Sequence, residues 1–205
     1  MNRNQPSPPL ITLGDDSTVG TYLLRMRVSR QLRLRFGRFR GGAFIDVPEG
    51  ECIYVGSALG KPGSPALARR LVRHASRSGD RPPHDLRAVM MARFPQMGLC
   101  ASDLDLRPRH GKRLFWNVDY LLEDLDVSLT QVMILRGRQR LEPRIGRLLT
   151  EDPCTFLLAP GLGANDVPGQ SHLLGVRADE EWWNQLVRRL VQLTTGKDEA
   201  FAEGD

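Results

Sequence analysis

Along residues 19–28, β-forming residues with partial alternation of apolar and polar positions predict a strand. Residues 31–36 alternate again, with Leu32, Leu34 and Phe36 on one face and Arg33 and Arg35 on the other. Gly37, Gly41 and Gly42 mark a turn. Residues 44–47 read as a short edge strand, and residues 53–56 as a buried strand with Gly50 before it and Gly56 and Gly60 after it. Together these pieces predict an antiparallel sheet of three or four short strands. The period then changes. From Ser64-Pro65, which suit a helix start, Leu67, Leu71 and His74 share one face, while Arg69, Arg70, Arg73 and Arg77 spread over the rest, and Gly79 closes the helix.

Residues 80–112 have weak periodicity, several prolines and mixed charge, which predicts an insertion or elaborated loop, with a helix over 85–94 inside it. Residues 114–122 read as a short helix or strand carrying Trp116, Asp119 and Tyr120. Residues 129–135 predict a buried strand. Residues 140–150 are amphipathic, with Leu141, Ile145, Leu148 and Leu149 on one side and Pro143 in the first turn, so a helix. Short strands are predicted at 155–158 and 171–176, either side of a glycine loop at 160–166. A helix with an acidic start follows at 179–195, with Trp182, Leu186, Leu190 and Leu193 on its apolar face. The expected architecture is α+β: a small mixed, mainly antiparallel sheet flanked by helices. In that reading residues 1–17 are a loose lead-in, 18–177 the domain with its insertion at about 79–112, and 178–205 a C-terminal helix and acidic tail.

Composition narrows the function classes. Of 205 residues, 40% are hydrophobic and 26% charged, enough for a packed core and too apolar for a disordered chain. No apolar run approaches the roughly 18 residues of a membrane span. Three cysteines, Cys52, Cys100 and Cys154, leave one unpaired in any disulfide scheme, which fits a reducing cytoplasm. The net charge is +5, and of 29 basic residues only Lys61, Lys112 and Lys197 are lysine. Arginine presents a planar fork of donors that matches phosphate, which points to a nucleic-acid partner. Because arginine is spread along the whole chain, base composition of the coding sequence accounts for the bias equally well.

The ordered motifs say more. Gly20-Thr21-Tyr22, then Tyr54-Val55-Gly56, then a helix with Arg70 and His74 four apart, resemble the GIY-YIG nuclease superfamily. The closer resemblance is to its DUF123, or Uri-type endonuclease-like, branch. Its marks are residues 54–60, Trp116-Asn117-Val118-Asp119-Tyr120-Leu121, and Gly163-Ala164-Asn165-Asp166 followed by Ser171-His172-Leu173. Asn117 stands where that branch usually has histidine, and Pro143 follows Glu142 where it usually has cysteine. The resemblance implies that Tyr22, Tyr54, Arg70 and His74 are catalytic. It also implies that Glu142 carries one Mg²⁺ or Mn²⁺ ion and that the substrate is DNA.

The chemistry of phosphodiester hydrolysis suits these residue types. Arg70, one helical turn from His74, is placed to hold phosphate oxygens while the imidazole orients a tyrosine or a water. A divalent ion needs at least one carboxylate, and a tyrosine acts as a base only if its pKa of roughly 10 is lowered. Arg69, Arg73, Arg77 and Lys61 are candidate nucleic-acid contacts, and Ser57, Trp116, Asp119, Asp166 and His172 candidate supporting residues. Plainer readings stand beside these. The tyrosines are also ordinary half-buried sheet residues, the arginines a solvated helix face, Glu142 a helix-start carboxylate, and Trp116 and Asp119 a core anchor and a local hydrogen-bond partner. The expected function is a metal-dependent endonuclease acting on branched, damaged or single-stranded DNA. The alternatives are a non-catalytic nucleic-acid-binding module with the same fold, and a protein-interaction domain.

Overall fold

The computed structural model describes residues 7–61, 63–106, 111–163 and 171–195. In chain order the elements are β1 (Leu10–Gly14), β2 (Gly20–Val28), β3 (Leu32–Arg35), β4 (Phe44–Val47) and β5 (Gly50–Ala58), then α1 (Ala66–His74), α2 (Leu86–Arg93) and α3 (Asn117–Leu122). There follow β6 (Val127–Arg136), α4 (Glu142–Thr150), β7 (Thr155–Leu157), β8 (Leu173–Val176) and α5 (Glu180–Thr195). The class is α+β, with a six-stranded sheet in the order β1-β6-β2-β5-β8-β7. Only the β1–β6 pair is parallel; the other four pairs of the sheet are antiparallel.

Two expectations need correction. Residues 1–17 are not all a loose lead-in, because Leu10–Gly14 form the sheet's edge strand, in register with Val132 to Arg136 of β6. A parallel edge pairing across about 120 residues leaves no hairpin or turn signal beside it, so the short Leu-Ile-Thr-Leu run gave no local sign of a strand. The two strands after β2 also do not extend the main sheet. β3 and β4 pair only with each other, as a separate two-stranded ribbon.

The central strands are apolar on both faces, because helices cover both. Tyr22, Leu24, Met26, Cys52 and Tyr54 point to the layer containing α1, α2 and α3. Leu23, Ile53, Val55, Met133 and Leu135 point to the layer of α4 and α5. A strand buried on two sides reads as a continuous apolar run, which is why 129–135 is so plain in the sequence. In α1 the buried positions Leu67, Ala68, Leu71, Val72 and His74 form one stripe against the sheet.

The stretch expected to be an insertion is part of the core. Leu86, Met90 and Phe94, each one helical turn after the last, are buried together with Leu99. α2 packs against α1 and β6. The helix expected over 85–94 is thus borne out, while Arg87, Arg93 and the flanking prolines mask its place in the core. Phe94→Ala is therefore expected to cost about 3–5 kcal/mol of stability, as for a fully buried aromatic. Urea denaturation measures this; a loss below about 1 kcal/mol would restore the loop reading.

Candidate active site

β2 and β5 lie side by side with Tyr22 opposite Gly56 and Leu24 opposite Tyr54. Tyr22 and Tyr54 face the α1 layer, with ring centroids 6.3 Å apart. Gly56 makes that approach possible: a Cβ there would lie 2.6 Å from the Tyr22 hydroxyl and 2.9 Å from the Tyr54 ring. Hydrogen is the only side chain that fits. Across the layer, His74 closes α1 and places Nε2 2.8 Å from the Tyr22 hydroxyl. Its other nitrogen, Nδ1, lies 3.2 Å from Asp119 Oδ1.

Asp119 is fully buried on α3. Besides His74, it accepts the backbone N–H of Phe115 at 2.9 Å and of Trp116 at 3.0 Å, and both its oxygens accept from Arg73 Nη1, at 3.0 and 3.1 Å. Burial alone would raise its pKa. The hydrogen bond from His74, the Lys112 ammonium and the Phe115 backbone donor outweigh that and hold the carboxyl below its usual range. Asp119 is thus an anion and an acceptor only. His74 Nδ1 must then carry the proton, Nε2 accepts, and the Tyr22 hydroxyl donates to it. Burial pulls the His74 pKa down to about 4, so the imidazole is neutral at pH 7.

Burial also drives both tyrosine pKa values upward. The nearby Arg70 guanidinium offsets only part of the rise. The lowered tyrosine pKa that a direct base role requires is therefore absent. Both hydroxyls are protonated at neutral pH.

A cleft of about 370 Å³ opens at the C-terminal end of β5, where side chains from both layers meet. Tyr54 and Arg70 reach it from the α1 side and Glu142 from the first turn of α4, with Ser57, Trp116 and Arg140 beside them. Tyr22 and His74 lie behind this wall and do not line it. Arg70 stacks on the Trp116 ring, 3.8 Å from its centroid, which limits the guanidinium to a narrow range of orientations. α4 is tied to the sheet by the Leu141 N–H, which donates to Thr21 Oγ1 at 3.2 Å; Thr21 pairs in turn with Ser57. The Glu142 carboxylate lies 3.0 Å from His172 Nδ1 and 3.7 Å from Arg140 Nε. Burial would raise its pKa, but the His172 imidazole and Ser57 beside it and the charge of Arg140 lower it, so it is ionised.

The family model for "Domain of unknown function DUF123" matches residues 21–195, from β2 to the end of α5. The chain belongs to the DUF123 family. No curated protein and no solved structure matches it.

In this DUF123 chain Tyr54, Arg70, Glu142, Ser57 and Trp116 line the cleft, Tyr22, His74 and Asp119 support it from behind, and His172 holds Glu142. Two expected nucleic-acid contacts turn inward instead. Arg73 is committed to Asp119 and to the Arg113 carbonyl. Arg77 donates to the carbonyls of Leu122, Pro82, Asp124 and Val127, joining the end of α1 to the α3–β6 turn. Lys61 is exposed in the loop after β5, and Arg69 lines a second groove beyond Trp116. Asp166 lies outside the described residues. Sequence reasoning missed Arg140, Asn117 and Lys112. Arg140 and Asn117 line the cleft, and Lys112 is buried 3.1 Å from Glu123. An isolated lysine in a poorly patterned stretch carries no signal that it is buried.

A second histidine behaves like His74. His84 Nδ1 accepts the Leu129 N–H at 3.1 Å, Nε2 donates to the Leu122 carbonyl at 3.0 Å, and burial lowers its pKa to about 4. Both imidazoles are about 6.5 when unfolded, so between these values the unfolded chain binds more protons. The stability they contribute is complete above about pH 6.5 and is lost as pH falls toward 4. The urea midpoint should accordingly be lower near pH 5 than near pH 7.5; an equal or higher midpoint contradicts the neutral assignment.

Proposed function

We propose that this DUF123 protein is a metal-dependent endonuclease that hydrolyses phosphodiester bonds of DNA in the Tyr54–Arg70–Glu142 cleft. The observation that carries the reading is the convergence of those three side chains, from β5, α1 and α4, on one cleft backed by Tyr22, His74 and Asp119. The resemblance of the same residues to the GIY-YIG motifs supports it.

Among the described residues no group of three or more His, Cys, Asp or Glu side chains could hold a metal ion. The donor set nevertheless suits Mg²⁺ or Mn²⁺ bound together with substrate. Mg²⁺ keeps several waters and is commonly held by one or two carboxylates plus phosphate oxygens. Glu142, ionised and on the cleft wall, is that carboxylate. When bound, the ion would supply positive charge to the phosphoryl oxygens and ease ionisation of a water.

The chain's own residues do the rest. Arg70 binds phosphate oxygens, and its stacking on the Trp116 face keeps it oriented before substrate arrives. Tyr54, protonated, donates a hydrogen bond toward the substrate or the attacking water. Tyr22, His74 and Asp119 are positioning residues. His172 and Ser57, beside the Glu142 carboxylate, keep it ionised at the cleft.

The test is cleavage of plasmid, single-stranded and branched DNA in Mg²⁺ or Mn²⁺. Wild type should cut, chelation should stop it, and Arg70→Ala and Glu142→Gln should each lose about 100-fold or more in rate. Wild type that cuts nothing, or variants that cut like wild type, would overturn the proposal. Salt-dependent DNA binding that survives Glu142→Ala without any turnover would favour the non-catalytic module.

A further inference from the structure

Beyond Trp116, a larger groove of about 1170 Å³ runs between α1 and the segment 111–116. Trp116 belongs to the walls of both spaces, so the groove adjoins the cleft there. Seven basic side chains line it; Arg73, Arg77 and Lys112 are turned to internal acceptors, and Arg69, Arg81, Arg87 and Arg113 make up the rest, while no carboxylate lines it among the described residues. Two neighbouring acids, Asp119 and Glu123, are buried and already paired with Arg73, Lys112 and Arg81. The floor is apolar, from Val72, Pro83, Leu106 and Leu114.

The aromatic at its edge is Phe115, which is 74% exposed. An exposed phenylalanine is unremarkable by itself. This one is fixed, because its N–H is held by the buried Asp119 carboxylate and its ring meets Trp116 edge-on, centroids 5.0 Å apart at 74°. The Trp116 face is occupied by the guanidiniums of Arg70 and Arg73. Phe115 is therefore the aromatic surface presented to a ligand.

We propose that this groove binds a single-stranded stretch of nucleic acid, one base stacked on Phe115 and the backbone running along the basic rim, so that the strand enters the cleft past Trp116. The chemistry favours a single strand over a duplex. An apolar floor with a basic rim and a fixed aromatic matches unstacked bases joined by phosphates, whereas a duplex hides its base faces and would leave Phe115 in water. The inference rests on the endonuclease reading for the strand's destination, but its binding step is separable from turnover.

The experiment is fluorescence anisotropy with labelled oligo-dT, a blunt duplex of the same length, and polyglutamate as competitor. It uses the wild-type chain in chelator, so that hydrolysis plays no part. Oligo-dT should bind more tightly than duplex, and Phe115→Ala should weaken oligo-dT binding by about 10-fold while leaving duplex binding unchanged, the loss expected of one stacked base. Phe115→Trp should retain affinity, and Arg113→Glu should weaken binding and flatten its salt dependence. Absence of binding, loss within about twofold for Phe115→Ala, equal loss on duplex, or full competition by polyglutamate would each overturn the proposal. Failure here leaves duplex hydrolysis standing, and failure of hydrolysis leaves this binding result intact.

Discussion

The buried carboxylate of Asp119 is the interaction on which the rest of the site depends. A fully desolvated anion is tolerated only when several donors converge on it. Here those donors come from two places far apart in sequence. His74 and Arg73 belong to α1, and the Phe115 and Trp116 amides belong to the entry of α3. Satisfying one charge therefore locks the helix carrying Arg70 to the segment carrying the ring on which Arg70 stacks. It also sets the histidine tautomer, and with it the direction of the Tyr22 hydroxyl. Removing the carboxylate would take the shared acceptor from His74, Arg73 and the Phe115 and Trp116 amides, so its effect would spread beyond one contact.

The second constraint is the end of the sheet. Tyr54 and Ser57 are three residues apart on one strand and so point to opposite faces. Inside the sheet they would never share a space. At the C-terminal end of β5 the covering layers part, and groups from both sides reach the same cleft: Tyr54 and Arg70 from one, Glu142 and Ser57 from the other. Gly56 between them keeps the two tyrosines close enough for a single support to serve both. The site is thus a product of strand parity and of where β5 stops.

The sequence was most legible where local pattern and burial agree. β2, β5, β6, α1, α4 and α5 were all visible, because their apolar runs or stripes are wide. The DUF123 match, and the side chains of Tyr54, Arg70, Glu142 and His172, were legible through motif order rather than through any single residue. β1 was not, since its partner lies about 120 residues away. The helix expected over 85–94 is present as α2, but that Phe94 and Met90 sit in the core was hidden in an arginine- and proline-rich stretch. Arg73 and Arg77 looked like a solvated face, yet burial of Asp119 and of the α3–β6 turn carbonyls draws both guanidiniums inward. Charge alone does not reveal whether a long side chain will point outward or snorkel back to an internal acceptor.

The central claim is that Asp119 stays ionised in the interior and holds His74 as a neutral imidazole protonated on Nδ1. Nitrogen-15 NMR of the histidine ring reads this directly at neutral pH. His74 should show a protonated Nδ1 and an unprotonated, hydrogen-bond-accepting Nε2, persisting until the pH approaches about 4. A proton on Nε2 in the neutral ring, or a titration midpoint near the ordinary value of about 6.5, would contradict it.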